Sequence, residues 1–359
     1  MPTLALLDGY SLAYRAFYAL PTDLATPAGQ VTNAVFGFTS MAIKLLGDEE
    51  PDALALCWDT PEATFRAEAY EEYKANRTAA PDLFRSQVPL IHEVADALRF
   101  PQLRAPGYEA DDIICTLAKR AADEGWRVVV VTGDRDAFQL IDDRITVLYT
   151  LRGISENVAA DAAYIEKKYG IRPDQYPDYA ALRGDNSDNL PGVPGVGEKT
   201  ATRLISEYGD IDGVYASLDD LTPKLRENLE ASRDQVFLNR RLTYLVDSVP
   251  VDTEIESLRL EEWDTAEVRE VFNGLAFKTL WQRLLELGGG ASADADEAVD
   301  VEVSAVSDPA ALEELAAGPI AIEPVWEDRS LLGMIVAGPD ETASFVAAEN
   351  LGPLEGALA

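Results

Sequence analysis

The sequence predicts an α/β protein: a mostly parallel sheet with helices on both faces, followed by a helical second half. Three observations carry that prediction. Short apolar runs alternate with stretches of helical spacing through the N-terminal part of the chain. One run, residues 126–132 (WRVVVVT), is continuous and β-branched, the pattern of a strand buried on both faces. From about residue 160 onward helical spacing dominates. At ~100–200 residues per domain, 359 residues allow two or three domains.

In chain order, residues 3–8 form a short apolar run ending in Asp8, and the following SLAYRAFYAL is helix-like. Residues 31–46 have helical spacing, and 52–59 (DALALCWD) form a second apolar run ending in an acid, Asp59. Helices are expected at 85–98 and 110–124, the buried strand at 126–132 and another strand at 144–149 (RITVLY). Beyond these, helices are expected at 160–169, 176–183, 198–208, 221–232, 235–245 and 265–272. The glycine-rich stretch opening at Gly288 reads as a flexible linker. After it, residues 299–304, 320–323, 331–337 and 343–348 read as strands, and 309–317 as a helix. The expected division is an α/β domain at 1–180, a helical subdomain at 181–287, a linker at 288–298 and a partial α/β domain at 299–359.

Composition narrows the function classes. With 47% hydrophobic and 26% charged residues the chain can bury a sizeable core. No apolar stretch approaches the ~20 residues of a membrane span. The N-terminus lacks the basic region and cleavage site of a secretory signal. Two cysteines, Cys57 and Cys115, make no disulfide framework and fit a reducing cytosol. One histidine and two distant cysteines cannot build a usual zinc site. The net charge of −34 argues against nucleic acid only if the sum is read instead of the local field.

The acids are not scattered evenly. Asp8 and Asp59 end two strands, and Asp134 and Asp136 (TGDRDAF) follow a third. Ligands bind beyond the carboxyl ends of such strands in an open parallel sheet. Glu109, Asp111 and Asp112 (GYEADDII) open a helix, with Glu109 and Asp112 on one face, and Asp185 and Asp188 (RGDNSDN) repeat the i, i+3 spacing. Each acid alone is at home as a turn or N-cap residue. Together they make nine carboxylates in five short segments, a set that repels itself unless divalent cations neutralise it. Oxygen-only donors select hard ions such as Mg²⁺ or Mn²⁺, and a dense carboxylate cluster suits the two-ion arrangement that hydrolyses phosphodiesters.

Two further segments accompany the acids. In residues 64–77, Arg66, Tyr70, Tyr73, Lys74 and Arg77 cluster at helical spacings; cations grip phosphate and rings stack on unpaired bases. The same pattern also describes a solvated helix with Glu–Lys pairs. Arg15 is a further candidate, with a plain surface charge as its alternative. The turn at 192–199 (GVPGVGEK), with Gly192, Gly195, Gly197 and Lys199, leads into a helix and offers backbone amides to a phosphate. A structural turn between two helices is the alternative.

The ordered set Asp8-Gly9, Trp58-Asp59, YKANR at 73–77, GYEADD at 107–112, TGDRD at 132–136 and GDNSDNLPGVPGVGEKT at 184–200 resembles the 5′ nuclease domains of bacterial DNA polymerases I. The resemblance runs to about residue 287. It implies a PIN-like flap endonuclease and 5′–3′ exonuclease working in the bacterial cytoplasm at the nucleoid. It implies that all nine acids are metal-site residues, that Lys74 and Arg77 draw the scissile phosphate inward, and that Arg15, Arg66 and Tyr73 line the strand's entrance. It also implies that the 192–199 turn is a helix-turn-helix variant holding duplex DNA, with a K⁺ ion. The implied substrates are DNA flaps, nicks and junctions. Tyr10 and Trp58 depart from the commoner small polar residue and Phe of the family. The segment after residue 299 resembles the start of a 3′–5′ exonuclease-like domain, where Glu323 followed by Val325 replaces the proofreading Asp-x-Glu. A polymerase domain is expected only in a longer parent chain. Two other classes fit less of the pattern: a junction-binding module with little catalysis, which the intact acid set disfavours, and a PIN-like RNase, which the glycine-rich turn disfavours.

Overall fold

The alternation in the sequence becomes a six-stranded sheet. The computed structural model describes residues 1–154, 156–288, 303–305, 321–327, 330–337 and 343–348. In order come β1 (Thr3–Asp8), α1 (Gly9–Ala19), α2 (Asn33–Glu49), β2 (Ala53–Trp58), α3 (Phe65–Ala69), α4 (Asp82–Arg85), α5 (Val88–Ala97) and β3 (Gln102–Arg104). Next are α6 (Ala110–Asp123), β4 (Arg127–Thr132), β5 (Ile145–Arg152), β6 (Glu156–Ala160), α7 (Ala162–Tyr169) and α8 (Tyr176–Arg183). The helices continue as α9 (Glu198–Tyr208), α10 (Ile211–Ala216), α11 (Pro223–Ala231), α12 (Arg233–Thr243), α13 (Thr265–Gly274) and α14 (Lys278–Glu286).

The strand order is β3-β2-β1-β4-β5-β6, parallel throughout except for β6, which runs antiparallel to β5. β1 is therefore central, with β2 and β4 on either side. Its side chains alternate between two cores, which is why the whole strand is apolar. Leu4 and Leu6 join Ile113, Leu117 and Val130 on one face. Ala5 and Leu7 join Leu12, Phe38 and Val129 on the other. The second face is closed by α13 and α14 through Val268, Phe272, Leu280 and Leu284. The first core continues through Tyr176 into Leu204 and Val236 of the helical half.

Several local outcomes differ from the sequence reading. The helical spacing in 64–77 yields only the five-residue α3, and Lys74 takes a left-handed φ of 56°. Tertiary contacts described below hold that backbone. The helix expected at 85–98 breaks near Gln87, and α5 starts afresh at Val88 with Pro89 in its first turn. Strands β3 and β6 and helix α10 are too short for periodicity to announce them, whereas α14 was not expected although Phe277, Leu280, Trp281, Leu284 and Leu285 recur at helical spacing. The 180/181 boundary lies inside α8, and Met1–Ala291 forms one compact unit.

The second unit, Ser292–Ala359, contains β7 (Val303–Ala305), β8 (Ala321–Glu327), β9 (Ser330–Ala337) and β10 (Ala343–Ala347) in the order β7-β10-β9-β8. β9 is antiparallel to both neighbours, and β7 is parallel to β10. Beyond Gly288, the expected linker and the expected helix at 309–317 lie outside the described residues.

Candidate metal centre

Adjacent strands β2, β1 and β4 bring three acidic segments to one edge of the sheet. Asp8 ends β1 and caps α1, accepting the Ser11 N–H at 3.0 Å; its other oxygen accepts the Thr132 hydroxyl at 2.9 Å. Gly9 leaves space for the Trp58 ring, where a Cβ would come within 2.4 Å. Tyr10 meets the same ring edge-on, centroids 5.3 Å apart, so the two departures from the family pattern pack on each other. Asp59 follows β2 and accepts the Ala110 N–H at 2.7 Å, which ties it to the start of α6. Asp134 follows β4, and its carboxylate accepts the Asp136 N–H at 2.9 Å. An open cleft of about 1320 Å³ lies over this edge, lined by Asp8, Asp59, Glu109, Asp111, Asp134 and Asp185.

The electrostatics join eight of the nine predicted acids. Burial and the neighbouring Asp59 push the Asp8 carboxyl up to about 7. Asp111 is driven well above the carboxylate range by burial, then by Asp8 and Asp134. Asp136 is driven the same way by burial, Asp134, Asp188 and Asp185. Burial raises Asp59 and Asp188 as well, opposed at Asp59 by the Ala110 N–H and at Asp188 by Lys74. One oxygen of Asp111 and one of Asp136 are buried without any hydrogen-bond partner. An uncompensated buried acceptor is costly, and a hard cation compensates it directly. The donor set thus fits divalent ions. As they stand, no three carboxylates, imidazoles or thiols among the described residues are arranged to hold one ion. Protein donors engage Glu109 and Asp188 instead.

Those donors are predicted residues. Lys74 Nζ lies 3.0 Å from Glu109, and Arg77 Nη2 lies 2.8 Å from Asp188. Burial works against the Lys74 charge, but Glu109 and Asp188 outweigh it and raise its pKa. The Tyr73 hydroxyl donates to Asp188 at 3.0 Å and stands 3.2 Å from Glu109.

Three expectations are corrected. Asp112 does not join the cleft: it is fully buried and accepts both Arg66 Nη1 (2.6 Å) and Nη2 (2.7 Å), plus the Val246 and Glu109 N–H groups. Its lone pairs are taken. Arg66, 1% exposed, also donates to Leu242 and Tyr244 carbonyls and cannot meet a strand's backbone. Tyr73 is 8% exposed and packs on Leu190 and Leu242, so its ring is not free to stack on a base. Gly192, which lines the cleft, also packs closely: a Cβ there would lie 2.0 Å from the Arg183 carbonyl oxygen.

The other predicted residues are placed as follows. Arg15 donates to the Leu151 and Thr150 carbonyls, tying α1 to β5. Gly195, at φ 81°, Gly197 and Lys199 are exposed at the start of α9. Three residues of the site were missed in the sequence: Ser11, in the cleft, and Thr132, buried beneath it, which hydrogen-bond Asp8, and Arg183, in the cleft, which flanks Asp185 at 3.7 Å. Thr132 could have been found, since it immediately precedes Gly133-Asp134 at a strand end.

A family model described as the 5′–3′ exonuclease, N-terminal resolvase-like domain, matches residues 3–170. A second, the 5′–3′ exonuclease, C-terminal SAM fold, matches 171–266. The chain is 48% identical over 308 residues to DNA polymerase I of Mycobacterium tuberculosis, covering 85% of this chain and 34% of that protein. It is 39% identical over 307 residues to DNA polymerase I of Bacillus subtilis, again 85% and 34%. The chain thus spans about a third of the length of the curated relatives it matches. Among solved structures, a bacteriophage T5 flap endonuclease with DNA and metal ions shares the fold at a TM-score of 0.57 and 20% identity, covering 79% of this chain and 97% of that one. The catalytic core of Rad2 with DNA substrate shares it at 0.54 and 17%, covering 80% and 92%. With two adjoining family models spanning residues 3–266, this chain belongs to the 5′–3′ exonuclease family.

Proposed function

We propose that this chain is a structure-specific nuclease that hydrolyses DNA phosphodiesters at 5′ flaps, nicks and duplex–single-strand junctions. One observation carries the reading: carboxylates from five chain segments share one cleft, with two cations paired among them. Asp8, Asp59, Glu109, Asp111, Asp134, Asp136, Asp185 and Asp188 would hold Mg²⁺ or Mn²⁺. A pair of such ions supplies Lewis acidity to both the attacking and the leaving oxygen of a phosphodiester.

The chain's own residues do the rest. Lys74 and Arg77 hold Glu109 and Asp188 in the free protein. An incoming phosphate offers those cations another anion and frees the two carboxylates. Asp8, Asp111 and Asp136, protonation-prone when buried together, ionise as positive charge enters the cleft. Ser11 and Thr132 hold the Asp8 carboxylate in one orientation. The exposed turn at Gly195, Gly197 and Lys199 grips duplex backbone without reading sequence, with K⁺ as an accessory ion. Residues 1–180 act as the catalytic part, completed by Asp185 and Asp188, the rest of 181–287 as the duplex-holding part, and 299–359 as an inactive 3′–5′ exonuclease-like piece. The parent chain is a longer bacterial DNA polymerase I, working in the cytoplasm at the nucleoid.

A labelled 5′-flap substrate titrated with Mg²⁺ and Mn²⁺ tests this. Cleavage leaving a 5′-phosphate is expected, with Asp134→Asn at least a hundredfold slower and junction binding in Ca²⁺ retained. Binding without cleavage would make the chain a tether, and preferential cutting of single-stranded RNA would make it an RNase.

A further inference from the structure

Two loops meet beside the cleft, and each carries a residue in a backbone conformation that L side chains seldom take. Lys74 has φ 56° in the segment after α3, and Asn189 has φ 59° in the loop after α8. The second loop is closed on itself by reciprocal backbone bonds between Asp185 and Leu190, at 2.9 and 2.7 Å. Between the loops the contacts run antiparallel. Asn189 Nδ2 donates to the Glu72 carbonyl at 2.8 Å. The Lys74 N–H donates to the Asp188 carbonyl at 3.0 Å. Asn76 Nδ2 donates to the Asn186 carbonyl at 2.7 Å.

The two asparagine amides therefore sit at opposite ends of one seam, each reaching across to the other loop's backbone. Between them lie the Lys74–Asp188 backbone bond and the Arg77–Asp188 ion pair. The seam joins the element that carries Lys74 and Arg77 to the element that carries Asp185 and Asp188. Within themselves the loops have only the Asp185–Leu190 bridge and single-turn bonds; across the gap the seam is joined by Arg77, which meets Ser187 and Asp188, and by Tyr73, which packs on Leu190. Lys74 also reaches Glu109 and the Tyr73 hydroxyl reaches Asp188, so the part of the seam is to fix the loop backbones from which these groups project; displacements of about 1 Å in such a site cost large factors in rate.

We propose that Asn76 and Asn189 are positioning residues: their side-chain amides clasp the two loops and set Lys74 and Arg77 in register with Asp185 and Asp188. This rests on the nuclease reading above.

The test uses the full chain with Asn76→Ala and Asn189→Gly. Glycine keeps the left-handed backbone free of strain and removes the amide while adding backbone freedom, which Asn76→Ala does not add. Each variant is expected to slow single-turnover flap cleavage about tenfold, with junction affinity in Ca²⁺ within twofold of wild type. The paired variant should lose less than the product of the two, because both amides serve one seam. Wild-type cleavage by Asn189→Gly would reduce Asn189 to a backbone role and overturn the clasp. A loss of affinity equal to the loss of rate would make these residues DNA contacts and overturn it too. Hydrogen exchange at the Lys74 amide reads the seam independently of activity. Faster exchange in both variants supports the clasp, and unchanged exchange refutes it. An inactive wild type with faster exchange in the variants would sink the nuclease reading and leave the clasp standing.

Discussion

Asp112 and Asp111 are neighbours in sequence and opposites in role. Asp112 neutralises a buried guanidinium with two short hydrogen bonds, whereas Asp111 leaves a buried oxygen unpaired among other acids. Asp112→Ala is expected to cost about 3–5 kcal/mol, the price of an unpaired buried charge. Asp111→Asn is expected to raise the melting temperature of the metal-free protein, since it removes repulsion from Asp8 and Asp134. Thermal denaturation of both variants in chelator checks this; a common sign would refute the separation. The sequence shows three acids within four residues with no means of telling which one meets an arginine 46 positions away. Asp178, outside the cleft, supplies a pH test. Burial raises its carboxyl to about 6 from an ordinary 3.8, with Arg240 opposing at 3.5 Å. The folded state holds the proton longer than the unfolded one, so this stability is complete below pH 3.8 and lost as pH rises through 6. Asp178→Asn should match wild type near pH 3.5 and exceed it by up to about 3 kcal/mol at pH 8, as read by denaturant unfolding at both values. A pH-independent difference would contradict the assignment.

At the scale of elements, the strands that place the acids were legible because burial on both faces makes them continuous apolar runs. β1, β2 and β4 end where Asp8, Asp59 and Asp134 begin or follow, and their adjacency in the sheet does the gathering. The segment 64–77 was not legible. Its helical spacing is real in Arg66 and Tyr73, but those side chains point into the body, and loop-to-loop bonds hold Lys74 in a left-handed turn. Sequence periodicity carries no record of such partners. α14, by contrast, was legible and overlooked: Phe277, Leu280, Trp281, Leu284 and Leu285 recur at helical spacing, and Leu280 and Leu284 are buried in the core beside α2 and α13. It lies beyond residue 266, where the family match ends. Leu280→Ala should destabilise by about 2–5 kcal/mol. Chains ending at 266 should melt far below those ending at 288. Equal melting temperatures would show that α13 and α14 are dispensable to the core.

For the molecule as a whole, a net charge of −34 coexists with a proposed polyanion substrate. Locally placed cations and bound divalent ions resolve that opposition, since binding follows the local field. Junction affinity in Ca²⁺ should therefore fall with rising salt, with a negative slope of log affinity against log salt, because phosphate contacts release counterions. A flat dependence measured by fluorescence anisotropy would contradict phosphate binding. The central claim is that eight of the nine acids gather hard cations while Asp112 stays with Arg66. Anomalous diffraction from crystals soaked in Mn²⁺ measures this directly. The account predicts manganese peaks within the cleft, touching Asp111 and Asp136, with Arg66 still bonded to Asp112. Manganese bound to Asp112, or found only outside the cleft, would contradict it.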